Sequence, residues 1–175
     1  MTSPFFRAIA GVTAALTLAQ GAAAQVSSNR VAANTDWSVF VEESPKECWG
    51  VSAPKETVNT KDGEAVSVRR GDILMFVTYR PGTGVGEVSF TGGYPFADGS
   101  TVELDIGGTK FDLFTNGEWA WSGTPDDDTK IITALKAGTS AIVTGRSGRG
   151  TQTKDTFSLL GVSAALDEAA KRCAG

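Results

Sequence analysis

Arg146 and Arg149 stand in the glycine-rich stretch 145–150 (GRSGRG), where two guanidinium groups on a tight loop can hold an anion. The stretch lacks the Lys-Ser/Thr ending of a P-loop, so it does not read as a nucleotide-phosphate cradle. A hairpin turn with solvated arginines explains the same residues. Trp119 and Trp121 lie at strand spacing and point to one sheet face. Such a pair can stack a sugar ring, or it can cover a sheet edge. Tyr94-Pro95-Phe96 is an aromatic loop that can dock a partner or fold down as a plug. Asp126, Asp127 and Asp128 are contiguous, whereas a calcium loop alternates its oxygen ligands and closes on a bidentate Glu. Helix capping is the better account of them. Arg70-Gly71-Asp72 matches a tripeptide that binds integrins from a flexible loop tip. Here it runs straight into an apolar stretch, which argues against that use.

What is missing constrains the chemistry more. The chain has no histidine, which removes the usual general base, zinc ligand and partner of a nucleophilic Ser or Cys. No carboxylate pair stands at a recognisable catalytic spacing. The reading is therefore non-enzymatic, with no catalytic residue, no cofactor and no metal site. A glycan- or small-ligand-binding sandwich that uses the tryptophan pair is the alternative. A hydrolase with a Ser or Asp nucleophile ranks behind both. The formal charge of −4, without a basic stripe, excludes nucleic acid as a main partner.

Residues 1–24 read as an export signal. Arg7 supplies the positive start, an uncharged apolar run follows, and Ala22-Ala23-Ala24 gives a small-residue cleavage pattern ahead of Gln25. The run is too short to span a bilayer, and no later run is long enough either. With Arg7 removed from the 16 basic residues, 15 remain against 20 acidic ones, a net of −5. The mature protein is expected to be periplasmic, secreted or held at the outer surface. Its partner, an unidentified protein or envelope component, is not named by any motif. Cys48 and Cys173 are the only cysteines, and in an oxidising compartment they are expected to pair, tying an early strand to the C-terminus. Two free thiols are the alternative, but no histidine is present to activate one.

These groups need elements to hold them. The 175 residues make one domain: a flexible segment at 25–35 and then a single unit over 36–175. Trp37, Val39 and Val41 alternate with polar residues, as in a half-buried strand. Cys48, Trp49 and Val51 continue the pattern after Ser44-Pro45. Residues 55–64 are polar and turn at Asp62-Gly63, and Val66 and Val68 suggest a short strand. Residues 72–80 (DILMFVTYR) form the most apolar strand, expected deep in a sheet, and 86–90 form another. Residues 101–106 and 110–114 flank Gly107-Gly108, a hairpin signal. Residues 118–121 follow the Asn116-Gly117 turn. Pro125 and the three aspartates open a helix carrying Ile131, Ile132 and Leu135 on one face, with Lys136 near its end and Gly138 closing it. Strands at 140–144 and 156–160 and a helix at 163–172 complete the chain. Regular strand spacing between turns predicts a mostly-β sandwich with one inserted helix and one C-terminal helix.

At this point the chain resembles a known family. Trp37-Ser38-Val39-Phe40 followed by Cys48 is similar to the opening of invasion-associated locus B (IalB) proteins. Gly92-Gly93-Tyr94-Pro95-Phe96 ahead of Leu104-Asp105-Ile106 is similar too, and 157–166 (FSLLGVSAAL) resembles the family's strand-to-helix signature. The order of these segments covers nearly all of the mature chain. The resemblance implies an exported, Ig-like antiparallel β-sandwich of an alphaproteobacterial cell envelope, in a family named for host-cell invasion. It implies no catalytic residue. Many members carry a second cysteine pair after the central hairpin. Thr115-Asn116-Gly117-Glu118-Trp119-Ala120-Trp121 stands there instead, which places this chain on a divergent branch.

Overall fold

The computed structural model describes residues 29–174. The export signal read at 1–24 lies outside them. Twelve strands and two helices follow in chain order: β1 Arg30–Asn34, β2 Trp37–Glu43, β3 Lys46–Ser52, β4 Glu56–Lys61, β5 Glu64–Ala65, β6 Leu74–Tyr79, β7 Glu87–Thr91, β8 Thr101–Ile106, β9 Thr109–Asn116, β10 Trp119–Trp121, α1 Pro125–Ala137, β11 Ser140–Arg146, β12 Gln152–Ser158 and α2 Val162–Cys173. The fold is the expected mostly-β sandwich with one inserted and one C-terminal helix. Its layers share a single ladder, in the order β1-β2-β3-β6-β7-β10-β9-β8-β11-β12-β4-β5. The two halves fold onto each other. Phe90 on β7 meets Phe157 on β12 edge to face, with ring centroids 6.1 Å apart. The Trp37 Nε1–H donates to the Ser158 carbonyl at 3.0 Å.

Strand alternation builds the core. Trp37, Val39 and Val41 on β2 point inward, as do Val102, Leu104 and Ile106 on β8. The hairpin between β8 and β9 turns at Gly107 and Gly108, with φ of 59° and 89°, a two-residue geometry that suits the twist of the strands. Between them, β7 and β9 enclose the short β10, whose Ala120 is fully buried.

Three expectations need correction. The stretch read as a flexible lead-in contains β1, which pairs with β2 from Arg30 to Asn34. Its Val31 is exposed and only Ala32 packs against the core, so it is held mainly by main-chain hydrogen bonds. The polar stretch at 55–64 is a strand, β4, which contributes a ladder along β12 rather than side chains to the core. Val66 and Val68 form no strand. Val68 is exposed, and the segment passes over the end of the sandwich.

Helix α1 starts at Thr124, whose hydroxyl accepts from the Asp127 N–H at 3.2 Å. Ile131 and Leu135 are buried, and Gly138 ends the helix in an extended rather than left-handed conformation. Any larger side chain at Gly138 would strike Ile106 and Leu159. Helix α2 buries Val162, Ala165, Leu166, Ala169 and Cys173, one stripe at helical spacing. It settles onto β3 because Gly50 leaves room: a Cβ there would stand 2.7 Å from Leu166 Cδ2. Cys48 and Cys173 form the expected disulfide, which closes a loop of 125 positions and fastens the end of α2 to β3.

Candidate functional site

The tryptophan pair marks the most distinctive surface. On β10, Ala120 points in, so Trp119 and Trp121 both point out. Their rings stack with centroids 6.3 Å apart and planes within 21°. Phe76 of β6 joins them, 5.6 Å from Trp119. Phe114 of β9 lies directly across the ladder from Trp121. Phe114 is 60% exposed and Trp119 40% exposed, so this cluster presents apolar rings to solvent. On the same outward face, Phe40 and Trp49 form a second stack, with centroids 5.8 Å apart and planes within 8°. The register Val51–Phe76–Ser89–Trp121–Phe114 runs as one cross-strand row over β3, β6, β7, β10 and β9. The sequence signalled the tryptophans by their spacing. Phe76 and Phe114 lie inside apolar strands and could not be told from core residues without the register.

The aromatic loop folds down as a plug. Phe96 is buried, with its ring 6.2 Å from Phe90, so it is not a surface residue. Tyr94 packs edge-on to Phe96 at 5.0 Å, and its hydroxyl shares a 2.6 Å hydrogen bond with the Thr153 hydroxyl. Burial pushes the Tyr94 phenol above its usual pKa, against the pull of Thr153 and Arg70. Gly145 makes the space, since a Cβ there would come within 2.9 Å of the Phe96 ring and of the Tyr94 hydroxyl.

The two arginines of the GRSGRG turn do not converge. Arg146 lines a polar cleft with Asp62, Glu103 and Asp112. Arg149 lines a different cleft of about 700 Å³, with Arg69, Tyr94 and Pro95. Arg70, the first residue of the integrin-like tripeptide, turns inward. Its side chain is 6% exposed and that of Asp155 is fully buried. The two meet fork to fork, at 2.7 and 2.6 Å, while Arg70 Nε–H donates to the Gly92 carbonyl at 2.9 Å. The guanidinium also lies 5.1 Å above the Tyr94 ring. Gly71 and Gly93 touch backbone to backbone, so the tripeptide is fixed in the fold rather than displayed at a loop tip.

The acidic run divides its duties. Asp127 closes the start of α1 with Thr124, and hydrogen bonds from Thr124 and Lys130 hold its carboxyl below the usual range. Asp128 is buried and accepts from the Val88 N–H at 2.7 Å and the Ser122 hydroxyl at 2.5 Å, which completes the edge of β7 next to the end of β10. Asp36 is likewise held low, first by its hydrogen bond with Lys55. The Tyr79 phenol is pushed up to about 12, chiefly by burial. The displaced carboxyls are thus pinned in their charged form, unlike a general acid poised near neutrality. Among the described residues no group of three or more His, Cys, Asp or Glu side chains is placed to hold a metal ion.

Residues 37–170 match the model of the family described as "Invasion associated locus B (IalB) protein". The crystal structure of invasion associated protein B from Bartonella henselae superposes with a TM-score of 0.58, covering 81% of this chain and 96% of that one at 16% sequence identity. That likeness is one of fold. No curated protein matches the chain in sequence.

Proposed function

The chain belongs to the invasion-associated locus B family, and from that premise we propose that it is an exported, non-enzymatic protein of the cell envelope that works by binding through the aromatic face of its sheet. The observation that carries this reading is the outward row of Phe76, Trp119, Trp121 and Phe114. Large exposed rings cost solvation free energy unless something covers them, and clustered aromatic surface of this kind marks interaction sites. The lack of histidine supports a binding role over a chemical one. Export through residues 1–24 is part of the proposal, with the mature protein in the periplasm or on the outer surface.

The test replaces Trp119 and Phe114 with serine, together and singly. Phe114→Ser should change stability little, whereas Trp119→Ser also gives up its packing on Phe76 and Trp121 and should cost about 1–2 kcal/mol, so circular dichroism checks that each variant is folded. Crosslinking in intact cells should yield a discrete adduct that the double variant loses. An adduct that survives the double substitution places binding elsewhere and defeats the reading. Protease treatment of intact cells separates the two locations: digestion means the outer surface, and protection until the outer membrane is opened means the periplasm. The Bartonella henselae protein is named for invasion. That role is considered for this chain only if the protein is digested on intact cells.

A second reading has its own support. The stacked Trp119–Trp121 pair offers ring faces of the kind that sugars cover. Tryptophan emission should then shift on titration with soluble polysaccharide fragments and lose that response in Trp119→Ala. Unaltered emission across the series would remove the glycan reading and leave a protein partner.

A further inference from the structure

Four segments meet around one cleft: the stretch 66–73 before β6, the loop 92–100 after β7, the turn between β9 and β10, and the turn between β11 and β12. They wall a cleft of about 700 Å³. This site is separate from the aromatic face and does not rest on it. Arg70 forms the floor, fixed by Asp155, Gly92 and the Tyr94 ring. Because Asp155 neutralises Arg70, the floor is rigid and carries no net charge of its own. Arg69 and Arg149 stand exposed on the rim, and neither side chain has a partner among the described residues. Glu118 is the one acidic residue on the lining, which leaves two free guanidinium groups against one carboxylate. On a chain of formal charge −4, an excess of positive charge in a concave site is a local reversal of sign. Val68 and Pro95 add apolar surface, and the volume exceeds what an inorganic anion fills.

The geometry points to a binding site for a small phosphomonoester with an organic body, such as a sugar or polyol phosphate. The two free guanidinium forks can each bond a phosphate oxygen, with Glu118 on the same lining facing the hydroxyls of the organic body, which lies against Val68 and Pro95. Arg146, which the sequence groups with Arg149, has no part in it, because it lines the neighbouring cleft. The same phosphomonoester chemistry is offered by a free sugar phosphate and by the headgroup of a phosphatidic acid bilayer.

The experiment is calorimetric titration of the mature protein with glucose 6-phosphate at low ionic strength, with glucose as the uncharged control. Phosphatidic acid vesicles are tested in parallel by sedimentation. Saturable binding of the phosphate ester, no binding of glucose, and weakening with added salt are expected. Arg69→Gln and Arg149→Gln should each weaken binding about tenfold or more, and Arg146→Gln should leave it unchanged. All three side chains are exposed, so the variants keep the fold, which circular dichroism verifies. Binding to glucose 6-phosphate alone identifies a free phosphate ester. Vesicle binding with the same dependence on Arg69 and Arg149 identifies a lipid headgroup. No saturable binding to either probe, or equal losses in Arg146→Gln and Arg149→Gln, overturns the site. Loss of phosphate binding in variants that keep their crosslinked adduct would separate this cleft from the aromatic face.

Discussion

At the scale of single residues, the Arg70–Asp155 pair has the most at stake. Both groups are shut away from water, and each carries the other's charge. Removing one partner leaves an uncompensated buried ion, so Arg70→Met or Asp155→Asn should lower stability by about 3–5 kcal/mol. Replacing both, as in Arg70→Met with Asp155→Leu, removes the charge together with its need for a partner and should recover much of that loss. Urea unfolding of the three variants measures this directly. Single variants that unfold at the parental midpoint would mean that water reaches the pair and that the floor of the cleft is not rigid. Nothing local in the sequence announced this contact. Its partners lie 85 positions apart, and Arg70 drew notice only through a tripeptide it does not serve. Trp119 and Trp121, by contrast, were legible because strand period alone fixes their shared face.

Elements show the same division between local signals and distant partners. The hairpin at Gly107-Gly108, the opening of α1 at Pro125 and the C-terminal helix each follow from residues within a few positions and formed where expected, while the cap of α1 falls to Thr124 rather than to the aspartates alone. Strands β1 and β4 were missed because they contribute main-chain ladders and few buried side chains, so periodicity leaves no trace of them. Val66 and Val68 alternate like a strand, but only the Val66 N–H joins the sheet, donating to the Asn59 carbonyl of β4, and the ladder goes no further. Gly161 explains how β1 is anchored. It holds φ of 90° at the start of α2, and a Cβ there would overlap the Asn34 carbonyl oxygen at the end of β1. Gly161→Ala therefore combines backbone strain with a steric clash, for a loss of about 2 kcal/mol or more. Hydrogen exchange should show faster loss of protection across the β1–β2 ladder than in β8 and β9. Equal protection in both places would show that β1 is held by something other than its docking on Gly161.

At the scale of the whole molecule, one ladder runs through all twelve strands, and one covalent bond ties the C-terminal helix to it. A continuous ladder with a shared core has no seam at which half the sandwich can melt alone. Unfolding should therefore be a single transition. Tryptophan fluorescence reports β2, β3 and β10, far-ultraviolet circular dichroism reports every strand, and the two should trace the same curve. The disulfide acts on that transition from the unfolded side. Closing a loop of 125 positions restricts the unfolded chain by about 4–5 kcal/mol on the chain-entropy estimate. Domains of this kind have only about 5–15 kcal/mol in total. Reduction should therefore take a large share of the stability and lower the thermal midpoint by about 10–20 °C. Cys48→Ala with Cys173→Ala should match the reduced parent, because both remove the crosslink and leave the α2 stripe of Ala165, Leu166 and Ala169 in place. If α2 detached first in the reduced protein, dichroism would begin to fall before tryptophan emission changed. Unchanged midpoints after reduction would mean that the packing of α2 over Gly50 fixes the C-terminus without the bond. A protein with this tie suits an oxidising compartment, where the crosslink persists, in keeping with the export proposed above.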